Sequence, residues 1–482
     1  MKNWYVYLDH SNTGSGKTVV TITAARAMGL DIILIAPPTL HKQWADSAKS
    51  YGVRIIMSLS YQKLRAAKSS TKGDRPLLIR STDSSSGNAL PDEGEYEPTT
   101  EFISLLKHGI LLVFDEFHNV KNSATQQLDS AHTLVKALIN ANTVSRCALL
   151  SATPGDKAEN ALSLLKMLGV CSHKNLVPKG IAEILKFAEL IDPITSVTLT
   201  MDIDTSKLHE LKHKQAMTLA YDAYREIFGP CFSSFANLPV EKKESKIQHL
   251  KYNGFFNLPP DDEKLLRETY ESLANALHYD GSDESIKMDK SKLGLITKCM
   301  SIMEDCKIRT IVRIATTELL DVKNPRRKVI IYLNFIKSME KCARLLAEFK
   351  PAIMNGETPT MERDRIRETF QEPNNNIRVI ITSTAVGGVG VCFDDTVGTH
   401  ERTQIFSPSN SFIGTCQGVG RVARASTKSS SKNYLVFCKN LNAEYKLLNS
   451  MGRKAHTLRD YRSIDDSEDH LYPGEYPEYI ES

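Results

Sequence analysis

The sequence predicts an α/β fold: two parallel-sheet domains in tandem with a helical insertion between them. Three features carry this expectation. Near the amino terminus a short apolar run, a glycine-rich turn and a long helical pattern follow one another. Further on, an unbroken apolar run ends in two adjacent acids, Asp115 and Glu116. From Val329 the strand–helix alternation starts again and contains a glycine-rich turn of its own. Strands alternating with helices imply a parallel sheet with helices on both faces.

The opening stretch organises the rest. Trp4, Tyr5, Val6, Tyr7 and Leu8 suit a buried strand, and residues 19–28 are numerous enough for a helix. Between them lies Thr13-Gly14-Ser15-Gly16-Lys17-Thr18. Glycines there let successive backbone N–H groups turn onto a phosphate, and the helix start adds the positive end of its dipole. Lys17 then reaches the β- and γ-phosphates of a nucleotide such as ATP, and the Thr18 hydroxyl reaches Mg²⁺. The full pattern G-x-x-x-x-G-K-[ST] asks for Gly at position 11, where this chain has Ser11; the shorter G-x-G-K-T form remains. A glycine turn with an exposed lysine ahead of a core helix is the plain alternative.

The chain's 482 residues leave room for about three domains. A hydrophobic content of 41% and a charged content of 24% are those of a soluble globular protein. The net charge of +4 is too small to argue for nucleic acid by itself. Nine cysteines, from Cys147 to Cys438, lack C-x-x-C spacing and histidine partners. They read as buried thiols of a reducing intracellular compartment, cytoplasm or nucleus, rather than a disulfide or zinc framework. No stretch approaches the ~18 apolar residues of a membrane span, and residues 1–10 lack a basic and then apolar leader, so neither a span nor a secretory signal is expected.

Along the chain, residues 31–35 form a second strand run, stopped by Pro37 and Pro38, with Thr39 placed to cap a helix carrying Gln43 and Trp44. A third apolar patch covers residues 54–57. Residues 67–101, rich in Ser, Thr, Gly, Pro and Asp, read as surface loops around one strand near Ile79. The run Ile110-Leu111-Leu112-Val113-Phe114 then delivers Asp115 and Glu116 to the carboxyl edge of a parallel sheet, where ligands of open α/β folds bind. Asp115 can hold Mg²⁺ through its water shell, and Glu116 can orient or deprotonate an attacking water. Seen alone, the pair equally suits the dipole of a following helix. After a strand at residues 147–150 come Ser151-Ala152-Thr153-Pro154, whose hydroxyls can bond the acids and sense a γ-phosphate; Ser151 equally suits a helix cap.

The order T-G-S-G-K-T, A-P-P-T-L, D-E-F-H and S-A-T resembles the first motor domain of superfamily 2 helicases and translocases, with His118 giving the DExH form. Residues 194–201 read as a strand, 206–227 as a helix, and 238–289 as a polar helical insertion. In that insertion Lys242, Lys243, Lys246 and Lys251 form a solvated face or, as the second reading, nucleic-acid contacts. After Val329 come a strand at 329–333, a helix at 336–349, the turn Met354-Asn355-Gly356 and a charged helix at 363–370. A buried strand then opens into Ser383-Thr384-Ala385-Val386-Gly387-Gly388-Val389-Gly390. Further on, Gln417-Gly418-Val419-Gly420-Arg421-Val422-Ala423-Arg424 lies on or beside a helix. On a helix Arg421 and Arg424 share one face, and their fork geometry suits phosphate oxygens; ordinary surface arginines are the alternative.

These later stretches are similar to motifs V and VI of the same superfamily, with the doubled glycine of Snf2-like members. The approach to motif VI, residues 398–402, looks like Snf2-related helicases of large DNA viruses. The resemblance covers roughly residues 4–170 and 325–440. It implies two RecA-like domains, at 1–200 and 324–455, with a linker and insertion at 201–323 and an acidic tail at 456–482. It implies ATP and Mg²⁺ between the domains, held by Thr13 to Thr18 and Asp115 with help from Gly388 and Gly390. Glu116, Gln417, Arg421 and Arg424 then serve hydrolysis, and His118, Ser151 and Thr153 couple it to movement. Thr39, Asn355, Gly356, Ser383 and Thr384 meet a nucleic-acid backbone, DNA rather than RNA. Such contacts are insensitive to base sequence. The family's upstream adenine-recognising segment has no counterpart before Thr13, so adenine is held loosely or the chain is a shortened reading. The tail is solvated or docks a protein, and a viral replication site or virion is a candidate location. A double-stranded DNA translocase that does not unwind, a P-loop ATPase serving a protein complex, and a non-hydrolysing binding module, disfavoured because Lys17, Asp115, Glu116 and Arg421 are all present, are the rival readings.

Overall fold

The computed structural model describes residues 4–11, 14–66, 76–80, 96–122, 125–173, 176–200, 204–232, 247–248, 255–256, 259–276, 293–373, 376–387, 392–407, 411–422, 427–438 and 442–462. By internal packing the chain divides into two units, Met1–Val240 with Lys454–Glu468, and Glu241–Arg453 with Asp469–Ser482. Each is a parallel-sheet α/β unit, as the strand–helix alternation implied.

The first unit contains β1 (Val6–Asp9), β2 (Asp31–Ile35), β3 (Ile55–Leu59), β4 (Leu78–Arg80), β5 (Tyr96–Pro98), β6 (Ile110–Asp115) and β7 (Arg146–Leu150). Five of these form one all-parallel sheet in the order β1-β7-β6-β2-β3, while β4 and β5 pair antiparallel outside it. Alternation along each strand divides the side chains between two cores. In β6, Ile110, Leu112 and Phe114 enter one cluster, and Leu111 and Val113 enter the other. β2 does the same with Ile33 and Ile35 against Ile32 and Leu34. A sheet covered on both faces is why these strands read as unbroken apolar runs. On the Val113 side the cluster is completed by Ile22 and Ala25 of the helix Lys17–Met28 and by Leu40, Trp44 and Ala48 of the helix Pro38–Ser50. The four-residue spacing of those last three gives that helix one buried face.

The second unit contains β8 (Ile247–Gln248), β9 (Phe255–Phe256), β10 (Lys328–Tyr332), β11 (Ala352–Met354), β12 (Val379–Thr382), β13 (Arg402–Phe406), β14 (Ser431–Leu435) and β15 (Phe437–Cys438). Its sheet runs β11-β12-β10-β13-β14-β8, all parallel, and β9 pairs with β15. The helix Leu293–Leu319 packs Ile308, Ile311 and Ala315 into the same core as Val329, Ile331 and Ile381. No helix among the described residues is long and apolar enough to cross a membrane.

The structure corrects several expectations. The expected strand at 194–201 is, over its described residues, part of the helix Pro193–Thr200. The Asp192 carboxylate accepts the N–H groups of Ile194 and Thr195, each at 3.1 Å, and the proline fills the first helical position, so start chemistry overrides β-branched propensity. Thr39 does not cap its helix; Pro38 begins it after Pro37, because a proline at the first position forfeits no hydrogen bond. Residues 206–227 are not one helix but a 3₁₀ turn at Thr205–Glu210, the helix His213–Ala223, and a wider turn at Tyr224–Phe228. The insertion is not wholly apart from the core, since β8 extends the second sheet. The last described helix, Asn442–Arg462, runs into the span expected to be tail, and its turns from Lys454 belong to the first unit. Lys242, Lys243, Lys246, Lys251 and the tail beyond Arg462 lie outside the described residues.

Candidate nucleotide site

The strand order brings together segments that are far apart in the chain. β1, β7, β6 and β2 are neighbours, with Asp9 and Asp115 both registered against Leu150, and Ile35 against Phe114. The phosphate loop, Ser151 to Thr153, Asp115 to His118, and Ala36 to Thr39 therefore all leave one carboxyl edge, where open parallel sheets bind ligands.

In the loop, Gly14 and Gly16 adopt φ of 76° and 91°, a left-handed conformation that a side chain would strain. Gly16 caps the helix Lys17–Met28 without a side chain, so the helix start is bare backbone. Ser11, where the strict pattern has glycine, is stitched to the end of β1. Its N–H and hydroxyl donate to Asp9 Oδ1 at 3.0 and 2.7 Å, and its Oγ lies 2.7 Å from Ser15 Oγ. Lys17 Nζ donates to the Ser11 carbonyl at 2.8 Å, so the lysine is folded back over its own loop. Thr18 is half-buried on the first helical turn, and Thr13 lies outside the described residues.

Asp115 is buried, and each of its three oxygens accepts a hydrogen bond. Its Oδ2 accepts the Trp44 indole N–H at 2.7 Å, its Oδ1 accepts the Glu116 N–H at 2.9 Å, and its carbonyl accepts Tyr61 Oη–H at 2.9 Å. Burial, then repulsion from Glu116, pushes the Asp115 carboxyl up to about 6, against the pull of Trp44 and Lys17. Glu116 has φ of 55°, a left-handed backbone that costs a non-glycine residue about 1–3 kcal/mol. Phe117, the variable residue of the acid motif, is a core anchor at 1% exposure. The expected hydroxyl–acid bond is made by way of a histidine. His118 Nδ1 lies 3.2 Å from Ser151 Oγ and 3.3 Å from Glu116 Oε2, and Ser151 Oγ also accepts the Thr153 N–H at 3.1 Å.

Thr39 is half-buried, with its hydroxyl oxygen shielded from solvent. In the second unit, Asn355 spends its side-chain oxygen on its own turn, accepting the N–H groups of Glu357 and Thr358 at 3.0 and 3.1 Å. Arg363 donates to the Gly356 carbonyl at 2.9 Å. Ser383 Oγ accepts the Val386 N–H at 3.3 Å beneath the short helix Thr384–Gly387. Gln417 is buried on the helix Phe412–Val419. Arg421 lies in the turn just beyond that helix, beside it rather than on it. The helix stops at Gly420, and the Arg421 N–H closes on the Gly418 carbonyl at 2.9 Å. Arg424, Gly388 and Gly390 lie outside the described residues.

Sequence reasoning did not find the residues that hold these segments. Gln404 Nε2 donates to the Gly418 carbonyl at 2.8 Å and to Tyr332 Oη at 3.1 Å, while Tyr332 stacks on Phe406 at 4.3 Å. A Cβ on Gly418 would stand 2.8 Å from the Phe406 ring, which reserves that position for glycine. Glu304, on the helix Leu293–Leu319, accepts the Asn334 and Phe335 N–H groups at 2.9–3.0 Å. Asp9, Trp44 and Tyr61 play the same supporting part in the first unit. Trp44 packs on the face of the odd positions of β6, and Tyr61 packs on the opposite face.

The donor set fits Mg²⁺. A buried carboxylate held above its usual range, a second acid beside it and a threonine hydroxyl are hard oxygen ligands. Among the described residues no group of three or more His, Cys, Asp or Glu makes a protein cage for a metal.

A glycine loop with lysine at its helix start, beside paired acids on an open parallel sheet, defines a phosphate-loop ATPase. Two family models match: "DEAD/DEAH box helicase" over residues 7–161 and "Helicase conserved C-terminal domain" over residues 307–426. The chain is 24% identical over 475 residues to "Putative ATP-dependent RNA helicase L364" of Acanthamoeba polyphaga mimivirus, spanning 97% of this chain and 82% of that protein. The chain belongs to the superfamily 2 helicases and is an ATP-hydrolysing enzyme of that class.

Proposed function

We propose that this enzyme converts ATP hydrolysis into movement along a nucleic-acid strand. The observation that carries the reading is the convergence of Lys17, Asp115, Glu116, His118 and Ser151 on one sheet edge. Lys17 and the loop Thr13 to Thr18 bind the triphosphate, Thr18 and Asp115 hold Mg²⁺, and Glu116 orients or deprotonates the water. Mg²⁺, when bound, neutralises charge on the phosphates. Gln417, Arg421 and Arg424, with Gly388 and Gly390, serve the same phosphates; their support is motif order. An arginine stabilising the transferred phosphoryl group is worth about 10³–10⁵ in rate. Ser151, Thr153 and His118 couple hydrolysis to strand binding.

Thr39, Asn355, Gly356, Ser383 and Thr384 are assigned to the strand's phosphates. Binding through phosphates is salt-dependent and largely blind to sequence. The Snf2-like doubled glycine favours DNA, and the name of the mimivirus relative favours RNA. ATP turnover measured with single-stranded DNA, duplex DNA and RNA at two salt concentrations decides between them. Turnover indifferent to all three would transfer the reading to an ATPase of a protein complex. Triplex displacement without strand displacement would mark a duplex translocase rather than an unwinding helicase.

A further inference from the structure

The helix Pro38–Ser50 begins beside Thr39 and buries Trp44 completely. Trp44 shares its core cluster with Ile22 and Ala25 of the phosphate-loop helix and with Val113 of β6. Apolar packing alone explains a buried indole ring, but it leaves the N–H unaccounted for. That N–H donates to Asp115 Oδ2 at 2.7 Å, across 71 residues of chain. An indole nitrogen is a donor and never an acceptor, so it favours the carboxylate form and cannot compete for a metal ion. The other oxygen, Oδ1, is held at 2.9 Å by the Glu116 N–H. A carboxylate has about four acceptor positions, so two such bonds fix its plane and leave a lone pair on each oxygen for metal-bound water.

We propose that Trp44 is a positioning residue for the metal-holding carboxylate, and that it ties Asp115 to the helix that starts at the strand-binding turn. The proposal rests on the assignment of Asp115 to Mg²⁺. Its consequence is that the orientation of Asp115 depends on where the helix Pro38–Ser50 sits. A strand engaging Thr39 then acts on the metal site through a rigid ring five residues along the same helix.

The test is Mn²⁺ binding to the full chain loaded with a non-hydrolysable ATP analogue, followed by the free-ion paramagnetic resonance signal. Trp44→Phe keeps most of the ring volume and removes the donor. It should weaken Mn²⁺ binding about tenfold, the usual effect of losing a group that orients a metal ligand. Nucleotide affinity in EDTA should stay as in the parent. Parental Mn²⁺ affinity in Trp44→Phe overturns the proposal, and so does an equal loss of metal and EDTA nucleotide affinity, which marks a packing defect. Asp115→Asn separates the two layers. If it leaves Mn²⁺ affinity unchanged, the metal assignment itself falls; if it weakens binding while Trp44→Phe does not, the positioning role alone falls. A second measurement leaves Trp44 in place. The chain has two tryptophans, and Trp4→Phe makes Trp44 the sole emitter. Its emission should change when Mn²⁺ joins the analogue-loaded protein, and unchanged emission counts against the proposal.

Discussion

Ser151 and His118 meet at 3.2 Å, Oγ to Nδ1, and the same ring nitrogen stands 3.3 Å from Glu116 Oε2. A displacement of the turn after β7 is therefore felt at the acid assigned to the attacking water. Ser151→Ala should keep basal ATP turnover within about twofold while lowering the nucleic-acid-stimulated rate about tenfold, a typical coupling of about 1.4 kcal/mol. Turnover with and without saturating nucleic acid checks it. An equal loss in both would make Ser151 a structural cap.

Glu116→Gln should lower turnover by about 10²–10⁴ while ATP affinity is retained. Lys17→Ala should lose both, because its charge meets the phosphates in the ground state as well as in transfer. Nucleotide affinity measured beside turnover separates the two. Near-parental hydrolysis by Glu116→Gln would remove Glu116 from the water-activating role and leave its left-handed backbone unexplained.

Asp115 gives the enzyme a pH dependence whose sign is fixed. Its carboxyl is raised to about 6 by burial and by Glu116, with Lys17 and the Trp44 N–H opposing. Below that pH the group is protonated and poor at holding a cation; above it the carboxylate is available. Turnover at sub-saturating Mg²⁺ should fall as pH drops through about 6. Mg²⁺ binds the deprotonated form, so raising its concentration should move that limb to lower pH. A limb that ignores Mg²⁺ would belong to another group.

How far the site was legible follows from the kind of signal each residue carried. Asp115 and Lys17 were readable because glycine turns and acids at strand ends have local causes. The two-sided burial of β6 and β2 was equally plain, as an apolar run with no polar alternation. Trp44, Gln404 and Glu304 were not readable as site residues, since their partners lie across the sheet order, which a single sequence does not state. The segment from Ile194 to Thr200 differs for another reason: Asp192 and Pro193 start a helix, and that start overrides the strand preference of the β-branched run after them. Arg421 follows the helix Phe412–Val419 directly, and the stop at Gly420 is a local glycine signal that the motif pattern does not reveal.

The last described helix bears on the same loop. Tyr461 is fully buried between Tyr221 and Tyr224, with ring centroids at 5.4 and 5.2 Å, and its hydroxyl donates to the carbonyls of Lys157 and Ala158 at 2.8 and 3.1 Å. Gly155 lies so close beneath it that a Cβ would stand 2.8 Å from the ring. Residues 155–158 continue directly from Ser151 to Thr153, so the helix end clamps the turn that faces His118. Tyr461→Phe should cost about 1 kcal/mol, the usual net worth of a hydrogen bond, and Tyr461→Ala about 3–5 kcal/mol through the cavity it leaves. Gly155→Ala should destabilise as well, because a rigid ring stands where its methyl would go. Denaturant unfolding followed by the fluorescence of the first unit's tryptophans measures all three. Tyr461→Ala should also lose stimulated turnover faster than basal turnover, as Ser151→Ala does. Parental stability in Tyr461→Ala would mean that the helix end is not seated on this loop in solution.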